Sequence, residues 1–233
     1  MTKVPRIVHP LEPAQFAATS AGMLRVLMRE AIASDGECRI VLAGGRTPAA
    51  VYEVLCTLRD IEWSRVRVFI GDERCVPPDH ADSNFAMIER TLLSRVAIPT
   101  GQVHRMRGEI DAATAAAEYD GIVAALGIPR FHVMLNGVGP DGHTASLFPG
   151  DAGITTEQRW SVAARAPAPF AVPQRITMSL RALNSTWHSV TLCTGDDKRT
   201  VRRMILCTEE GTPSLPASLL RGLRQTIWCV DPD

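Results

Sequence analysis

The chain has 233 residues, enough to bury a sizeable core in one large domain or two small ones. Its 25 Lys and Arg residues balance its 25 Asp and Glu residues, and apolar residues make up 45% of the total. Proteins that bind nucleic acids or membrane surfaces usually carry a basic excess, so the balanced charge argues against both kinds of partner. We expect a soluble globular protein.

The sequence contains no obvious targeting or metal-binding pattern. Its N-terminal residues lack the apolar core of a signal peptide, and no segment approaches the ~20 apolar residues of a membrane span. The six cysteines form no Cys-x-x-Cys pair, and no histidine joins them at zinc-finger spacing. We therefore expect reduced, mostly buried thiols, no metal and a cytoplasmic location.

The first predicted elements are a helix, a strand and a second helix. Residues 15–34 have one apolar face, which predicts a helix that ends near residue 36. Residues 38–43 are a short β-branched run, which predicts a strand. A glycine pair then leads into a helix, with Thr47 as its expected N-cap and Pro48 at a favoured first position.

Strands and helices continue to alternate along the chain. The remaining predicted elements are a strand over 66–70, a helix over 84–96 capped by Ser83, a helix over 111–126 stopped by Gly127, a strand over 131–135, a strand or turn over 175–184, a strand over 189–194, a helix over 197–206 and a closing strand over 226–230. Such alternation is typical of an α/β fold, with a mostly parallel twisted sheet and helices on both faces.

Four polar, glycine-rich segments follow predicted strands. They read AGGRTP, GDER, NGVGPDGH and TGDDK. Ligands of parallel α/β sheets bind beyond the carboxyl ends of the strands. A scaffold needs turns at these places, but it does not need charged groups in each turn. We therefore predict one binding site built from all four loops.

Three of these loops, together with Arg175, supply candidate ligands for an anion. The glycine pair exposes backbone N–H groups, and the helix N-terminus that follows favours negative charge. This loop is neither a Walker A loop nor a dinucleotide fingerprint. Each loop also has a purely structural alternative. AGGRTP could be only a tight turn before a capped helix, Arg74 could form an internal salt bridge, and Lys198 could be a solvated helix residue. The candidate binding residues are Gly44, Gly45, Arg46, Thr47, Asp72, Arg74, Arg175 and Lys198.

The segment GPDGH places Asp141 and His143 one glycine apart. In a tight loop the carboxylate can accept a hydrogen bond from one imidazole nitrogen, which leaves the other nitrogen free to take a proton. The chain has no Gly-x-Ser-x-Gly elbow, so water is the natural nucleophile. A metal site is the weaker hypothesis, because no second His or Cys lies at ligand spacing. The structural alternative is a capping Asp beside a structural His.

Taken together, these motifs resemble those of the 6-phosphogluconolactonases, within the wider family of sugar-phosphate isomerases and deaminases. The matching segments are AGGRTPAAVY, GDERCVPPDHADSNFAMIERTLL, GVGPDGHTASLFPG, RITMSLRALNS, TGDDK and LPASLL, in this order from about Leu42 to Leu220. The resemblance implies one domain over residues 1–233 with the modified Rossmann-like fold of the sugar-phosphate isomerases. It also implies hydrolysis of 6-phospho-D-glucono-1,5-lactone to 6-phosphogluconate, a step of the oxidative pentose phosphate pathway that needs no cofactor or metal.

The resemblance also implies roles for single residues. His143 is similar to the general base that activates water and later helps to protonate the departing ring oxygen, and Asp141 to the residue that orients it. Arg74 and Lys198 resemble the phosphate and substrate binders. The Gly44–Thr47 segment resembles part of a phosphate or oxyanion cradle, with Arg175 and Asp72 among the binding residues. The expected partner is a small phosphorylated lactone, bound by a monomer or small homo-oligomer.

Three positions depart from the family pattern. Arg46 replaces a more frequent Ser, which implies either an extra phosphate contact or an outward-facing side chain. His132 stands in place of Asp, and Asn136 in place of an apolar residue. Because both precede the loop of His143, we expect any effect they have to be on the packing of that loop.

Two other functions are compatible with parts of this pattern. A glucosamine-6-phosphate deaminase also contains GPDGH, but follows it with Ile-Ala-Phe-Asn-Glu-Pro and has MDEY where this chain has GDER. A non-catalytic sugar-phosphate sensor would keep the pocket and lose the base. The presence of both Asp141 and His143 argues against the sensor.

Overall fold

The computed structural model describes residues 6–125, 127, 130–151, 154, 158–208 and 210–232. Its strands are β1 (Arg6–Pro10), β2 (Cys38–Leu42), β3 (Val66–Ile70), β4 (Asp72–Arg74), β5 (Val103–His104), β6 (Phe131–Gly137), β7 (Ser161–Arg165), β8 (Gln174–Met178), β9 (Thr186–Cys193) and β10 (Gln225–Val230). Its α-helices are α1 (Phe16–Asp35), α2 (Arg46–Leu55), α3 (Asn84–Thr91), α4 (Ala112–Ala125), α5 (Leu180–Asn184) and α6 (Arg199–Cys207).

Seven strands form a parallel central sheet in the order β1-β10-β9-β6-β2-β3-β5. Side chains alternate between its two faces, so the five inner strands contribute residues to two apolar clusters, one on each face. Ile40 and Leu42 pack with helices α1 to α3, whereas Val41 packs with helices α4 to α6. The predicted α/β fold, with helices on both faces of a mostly parallel sheet, is confirmed.

A second, antiparallel sheet was not predicted from the sequence. It has the order β4-β8-β7. Only Gly71 separates β4 from β3, and β4 is three residues long, which is too short to show a periodic pattern. The segment 175–184 was predicted as a strand or turn. Residues 175–178 belong to this sheet, whereas residues 180–184 form helix α5. The register places Arg74 directly opposite Arg175.

The helix termini agree with the sequence at two points and differ at two. Helix α3 ends at Thr91 rather than near residue 96. Gly36 ends α1 with a φ of +77°, and the Ser83 side chain caps α3 by accepting a hydrogen bond from the Ala86 N–H. The prediction that Thr47 caps α2 is wrong, because Gly45 is the N-cap residue. Gly45 has a φ of +105°, a conformation that favours glycine, and its carbonyl accepts the Ala49 N–H over 3.1 Å.

The strand order of the central sheet reverses between the neighbouring strands β2 and β6. The chain passes from β2 to β3 on one side, whereas β6 connects onward to the β9 side. Loops that leave two adjacent strands in opposite directions open a crevice at their carboxyl ends. The predicted polar loops therefore begin around this crevice.

The two tyrosines of the chain hold the backbone at these strand ends. The buried Tyr52 hydroxyl accepts a hydrogen bond from the Ala43 N–H over 3.0 Å and donates to the Ala43 carbonyl over 2.8 Å. Tyr119 makes the same pair of contacts with Ile70, over 3.0 and 3.1 Å. Ala43 lies beyond the paired part of β2, so Tyr52 replaces the partner that a neighbouring strand supplies elsewhere.

We expect Tyr52→Phe to lower the free energy of unfolding by about 1 kcal/mol, because the partly buried N–H and carbonyl of Ala43 lose their hydrogen bonds to the tyrosine hydroxyl. Urea unfolding followed by circular dichroism measures this change. Since the substitution removes one oxygen and keeps the ring, loss of packing does not contribute. An unchanged unfolding midpoint would show that Ala43 does not depend on Tyr52.

Candidate active site

A cavity of about 540 Å³ lies at the crevice. All four predicted loops contribute to its wall, together with the antiparallel sheet. The lining includes Gly44, Gly45, Arg46, Thr47, Asp72, Arg74, His143, Arg175 and Lys198. The structure thus brings every predicted binding residue to one place, with Asp141 directly behind His143.

Asp141 and His143 form a hydrogen-bonded pair. The Nδ1 atom of His143 lies 2.5 Å from Oδ1 of Asp141, and the His143 backbone N–H donates to the same oxygen over 3.1 Å. Burial raises the pKa of Asp141, but the hydrogen bond and charge of His143 outweigh it, so the pKa lies below its ordinary value. An ionised Asp141 fixes the hydrogen on Nδ1, which leaves the Nε2 lone pair free to accept a proton.

The glycines of this loop allow the pair to form. The Gly139 N–H donates to the His143 carbonyl over 2.9 Å, so the loop folds back beneath the imidazole ring. A Cβ atom on Gly139 would lie 2.1 Å from Nδ1 of His143 and 2.8 Å from Oδ1 of Asp141. Gly142 has a φ of +86°, which favours glycine. The loop sequence is therefore matched to one placement of His143.

Two phenylalanines pack against the His143 ring. The ring centroid of Phe148 lies 4.7 Å from that of His143, and the centroid of Phe170 lies 5.7 Å from it. Phe170 belongs to the hairpin loop between β7 and β8 and is 37% exposed. Sequence reasoning missed both contacts. The Phe170 contact had no local signal, because it depends on how the second sheet folds over the loop of β6.

Arg74 and Arg175 form an unusual pair of like charges. They are cross-strand neighbours, and like charges in that position repel one another. Arg175 is 6% exposed, and burial together with the charge of Arg74 lowers its pKa. Among the described residues, no carboxylate lies within 4 Å of either guanidinium group, and Nε of Arg74 is buried without a hydrogen-bond partner.

The salt bridge that could have neutralised Arg74 does not form in the described part of the chain. Glu73 instead accepts hydrogen bonds from the backbone N–H groups of Arg74, Asn84 and Phe85, over 2.7–2.8 Å. Asp72 accepts one from the Ser146 hydroxyl over 2.7 Å and one from the Asn84 side chain over 3.1 Å. Both acids therefore hold loops in place, and the arginines keep their charges.

Lys198 and Arg46 add two more cations to the cavity wall. Lys198 ends a short 3-10 turn, Asp196–Lys198, and immediately precedes α6. Arg46 is the exposed first residue of α2. Within the described ranges, neither side chain has a carboxylate within 4 Å. The chain has a formal net charge of zero, yet four cations that have no carboxylate partner among the described residues surround this one cavity.

The N-terminus of α2 adds backbone donors to the same wall. Gly44 and Gly45 precede the helix, and the first N–H groups of a helix have no partner within it. A Cβ atom on Gly44 would lie 1.9 Å from the Asn84 side chain, so only glycine fits beside Asn84. This turn is suited to an anion by its free N–H groups and by the helix dipole.

His132 and Asn136 lie on β6 and serve the sheet rather than the loop of His143. The Nδ1 atom of buried His132 accepts a hydrogen bond from the Arg39 N–H over 2.8 Å, and its Nε2 atom lies 2.9 Å from Asp35. These contacts lie at the amino end of β6, whereas the cavity lies at the carboxyl ends of the strands. Asn136 donates to the Ser189 hydroxyl over 3.2 Å, which joins β6 to β9.

Three general expectations can be compared with the structure. All six cysteines are free, and Cys38, Cys193 and Cys229 are buried. The described residues contain no group of three or more His, Cys, Asp or Glu side chains placed to hold a metal ion. In the part of the chain that the structure covers, every helix is too short or too polar to span a membrane.

The chain belongs to the family of glucosamine-6-phosphate isomerases and 6-phosphogluconolactonases, whose model matches residues 11–228. A 6-phosphogluconolactonase from Thermotoga maritima is 34% identical over 89% of this chain and 90% of its own length. A probable 6-phosphogluconolactonase 3 from rice, named as chloroplastic, is 38% identical over 88% of this chain and 67% of its own. The crystal structure of a Thermotoga maritima 6-phosphogluconolactonase is 31% identical, with a TM-score of 0.88, and covers 98% of this chain and 100% of that one.

We expect Arg175→Met to leave the free energy of unfolding unchanged or to raise it by about 1 kcal/mol, because it removes a buried charge that has no carboxylate partner in the described part of the chain. Inorganic phosphate should raise the urea midpoint of the wild type and have a smaller effect on the variant.

The matched control is Arg29→Met on α1, where the arginine pairs with Asp60 outside the cavity. This control should keep the full effect of phosphate. A large loss of stability in Arg175→Met, or an undiminished effect of phosphate, would contradict the assignment of an anion site to Arg175.

Proposed function

We propose that the chain is a 6-phosphogluconolactonase, which hydrolyses 6-phospho-D-glucono-1,5-lactone to 6-phosphogluconate with His143 as the general base. The observation that carries the proposal is the Asp141–His143 pair at the wall of a cavity surrounded by four cations that form no ion pair within the described residues. The names of the curated relatives support the same reaction. We further infer that the domain works in the cytoplasm, as a monomer or small homo-oligomer and without a cofactor.

The phosphate group of the substrate binds the N-terminal turn of α2 and Lys198. Backbone N–H groups at a helix start suit phosphate oxygens, and Gly44 and Gly45 let the backbone approach them closely. The Lys198 ammonium lies beside the start of α6, where a positive charge opposes the helix dipole. A bound phosphate offsets that cost.

The lactone end of the substrate then lies near His143. The Arg175 guanidinium lies 5.6 Å from the centroid of Phe170, and Phe170 packs on His143, so Arg175 is on the same side of the cavity as the base. The Arg74–Arg175 pair therefore faces the lactone group. Negative charge that develops on the carbonyl oxygen is stabilised there.

The reaction proceeds by attack of water on the lactone carbonyl carbon. His143 Nε2 takes a proton from the water as its oxygen bonds to carbon, and Asp141 stabilises the imidazolium that forms. Donors aimed at the resulting oxyanion contribute roughly 3–4 kcal/mol. The carbon–ring-oxygen bond then breaks, and the imidazolium returns its proton to the departing ring oxygen. The products are a carboxylic acid and a hydroxyl group on one open chain.

The local sequence argues against a deaminase, although the family description covers isomerases as well as lactonases. When the deaminase pattern Gly-His-Ile-Ala-Phe-Asn-Glu-Pro is aligned on Gly142 and His143, its glutamate falls on Phe148. The Phe148 ring packs against His143 in this structure. An apolar ring therefore occupies the place of the acid that ring-opening chemistry needs.

Replacement of the base tests the mechanism. We expect His143→Ala to lower kcat by about 10²–10⁴-fold, the usual contribution of a general base. Asp141→Asn should also lower kcat, because the amide no longer holds the hydrogen on Nδ1. Lactone hydrolysis is followed with correction for its spontaneous rate.

His9→Ala is the matched control, because His9 lies on β1 outside the cavity lining. It should hydrolyse the lactone at the wild-type rate. A wild type that does not accelerate hydrolysis would refute the enzyme proposal, and full activity in His143→Ala would refute the role of the base.

A further inference from the structure

Asp231 holds the loop that carries Lys198. It follows β10 directly, and its carboxylate accepts hydrogen bonds from the Thr194 hydroxyl and, over 2.6 Å, from the Gly195 N–H. Thr194 follows β9, the strand that pairs with β10. One carboxylate therefore fixes the first two residues of the TGDDK loop against the neighbouring strand.

The same carboxylate contacts the helix that follows the loop. Nη1 of Arg202, on α6, lies 3.4 Å from Oδ2 of Asp231. The Arg202 side chain is only 2% exposed, so its position is set by the surrounding core. Asp231 thus bridges the start of the loop and the helix beyond it.

Lys198 lies between these two fixed points. Its backbone N–H donates to the Gly195 carbonyl over 3.0 Å, so its backbone is tied to a residue that Asp231 holds. Its ammonium has no carboxylate within 4 Å among the described residues and lines the cavity. Since no ion pair with a described residue positions the side chain, its placement depends on the backbone of the loop.

We propose that Asp231 is a positioning residue that fixes Lys198 for binding of the substrate phosphate. The inference rests on the proposed function, in which Lys198 is a phosphate ligand. Asp231 lies outside the cavity lining and acts through Gly195. Its effect is on the affinity of the site, and the proton transfers at His143 do not depend on it.

The test compares wild type, Lys198→Met, Asp231→Asn and the double variant. Each single substitution should raise KM for the lactone by about tenfold and change kcat by less than about twofold. The phosphate contact is the same in the bound substrate and in the transition state, so its loss weakens binding without slowing the chemical step. The double variant should have the KM of Lys198→Met, because Asp231 acts only through the lysine. Asp196→Asn, on the same loop with a 91% exposed side chain, is the matched control and should behave as wild type.

A merely structural role would give a different result. Asp231→Asn would then lower the amount of active protein and so kcat, with an unchanged KM, or its effect on KM would multiply with that of Lys198→Met. Either result overturns the proposal. If Asp231→Asn does not fold, Thr194→Val removes one of the three contacts and should raise KM by a smaller factor, whereas an unchanged KM would overturn the proposal.

Phosphate affinity separates this inference from the proposed function. The dissociation constant of inorganic phosphate is measured by calorimetry for the same proteins and should follow the pattern of KM. If wild type binds phosphate but does not hydrolyse the lactone, the proposed function fails and the phosphate data decide the role of Asp231. If wild type hydrolyses the lactone and Asp231→Asn keeps both constants, the inference about Asp231 alone fails. If wild type neither binds phosphate nor hydrolyses the lactone, the proposed function and the inference about Asp231 both fail.

Discussion

Four cationic side chains surround one cavity without ion pairs among the described residues, and much of the local structure maintains that condition. The acids nearby are numerous enough to neutralise them, but their hydrogen bonds go elsewhere. Glu73 binds backbone N–H groups at the start of α3, Asp72 binds Ser146 and Asn84, and Asp231 binds Thr194 and Gly195. Each of these carboxylates holds a backbone segment in place and forms no ion pair with the four cations in the described part of the chain. Such an arrangement costs stability, as sites under functional constraint commonly do.

Asp141 also holds a loop by a backbone hydrogen bond, but in addition it contacts a side chain of the site. It too binds a loop residue, through the backbone N–H of His143, but it also accepts the hydrogen of the imidazole ring. In the function we propose, the cations bind the anionic substrate and face the charge that develops during attack, while the Asp141–His143 pair moves the proton. Because these tasks are held by separate loops on adjacent strands, the binding groups and the base occupy one cavity without forming ion pairs with one another.

The sequence was informative where a feature is local and less so where it depends on distant contacts. Five strands of the central sheet and the His143 loop could be predicted, because apolar periodicity and the GPDGH segment lie within single stretches of chain. The edge strands β1 and β5 were not predicted. The facing of Arg74 and Arg175 could not, since it depends on the register of two short strands separated by about a hundred residues. The contact of Phe170 with His143 and that of Asp231 with Gly195 could not be predicted either, because each joins residues that are distant in the sequence. The error at Thr47 has a local cause, because the conformation of Gly45 starts the helix before a favoured capping residue is reached.

A crystal structure with 6-phosphogluconate bound tests the central claim most directly. Our account predicts that the product phosphate lies on the first turn of α2 beside Lys198, with the newly formed carboxylate near Nε2 of His143 and facing Arg74 and Arg175. The reverse orientation, with the phosphate beside His143, would contradict the assignment of His143 as the base that acts on the lactone carbon. Binding of the product outside the cavity would contradict the site itself.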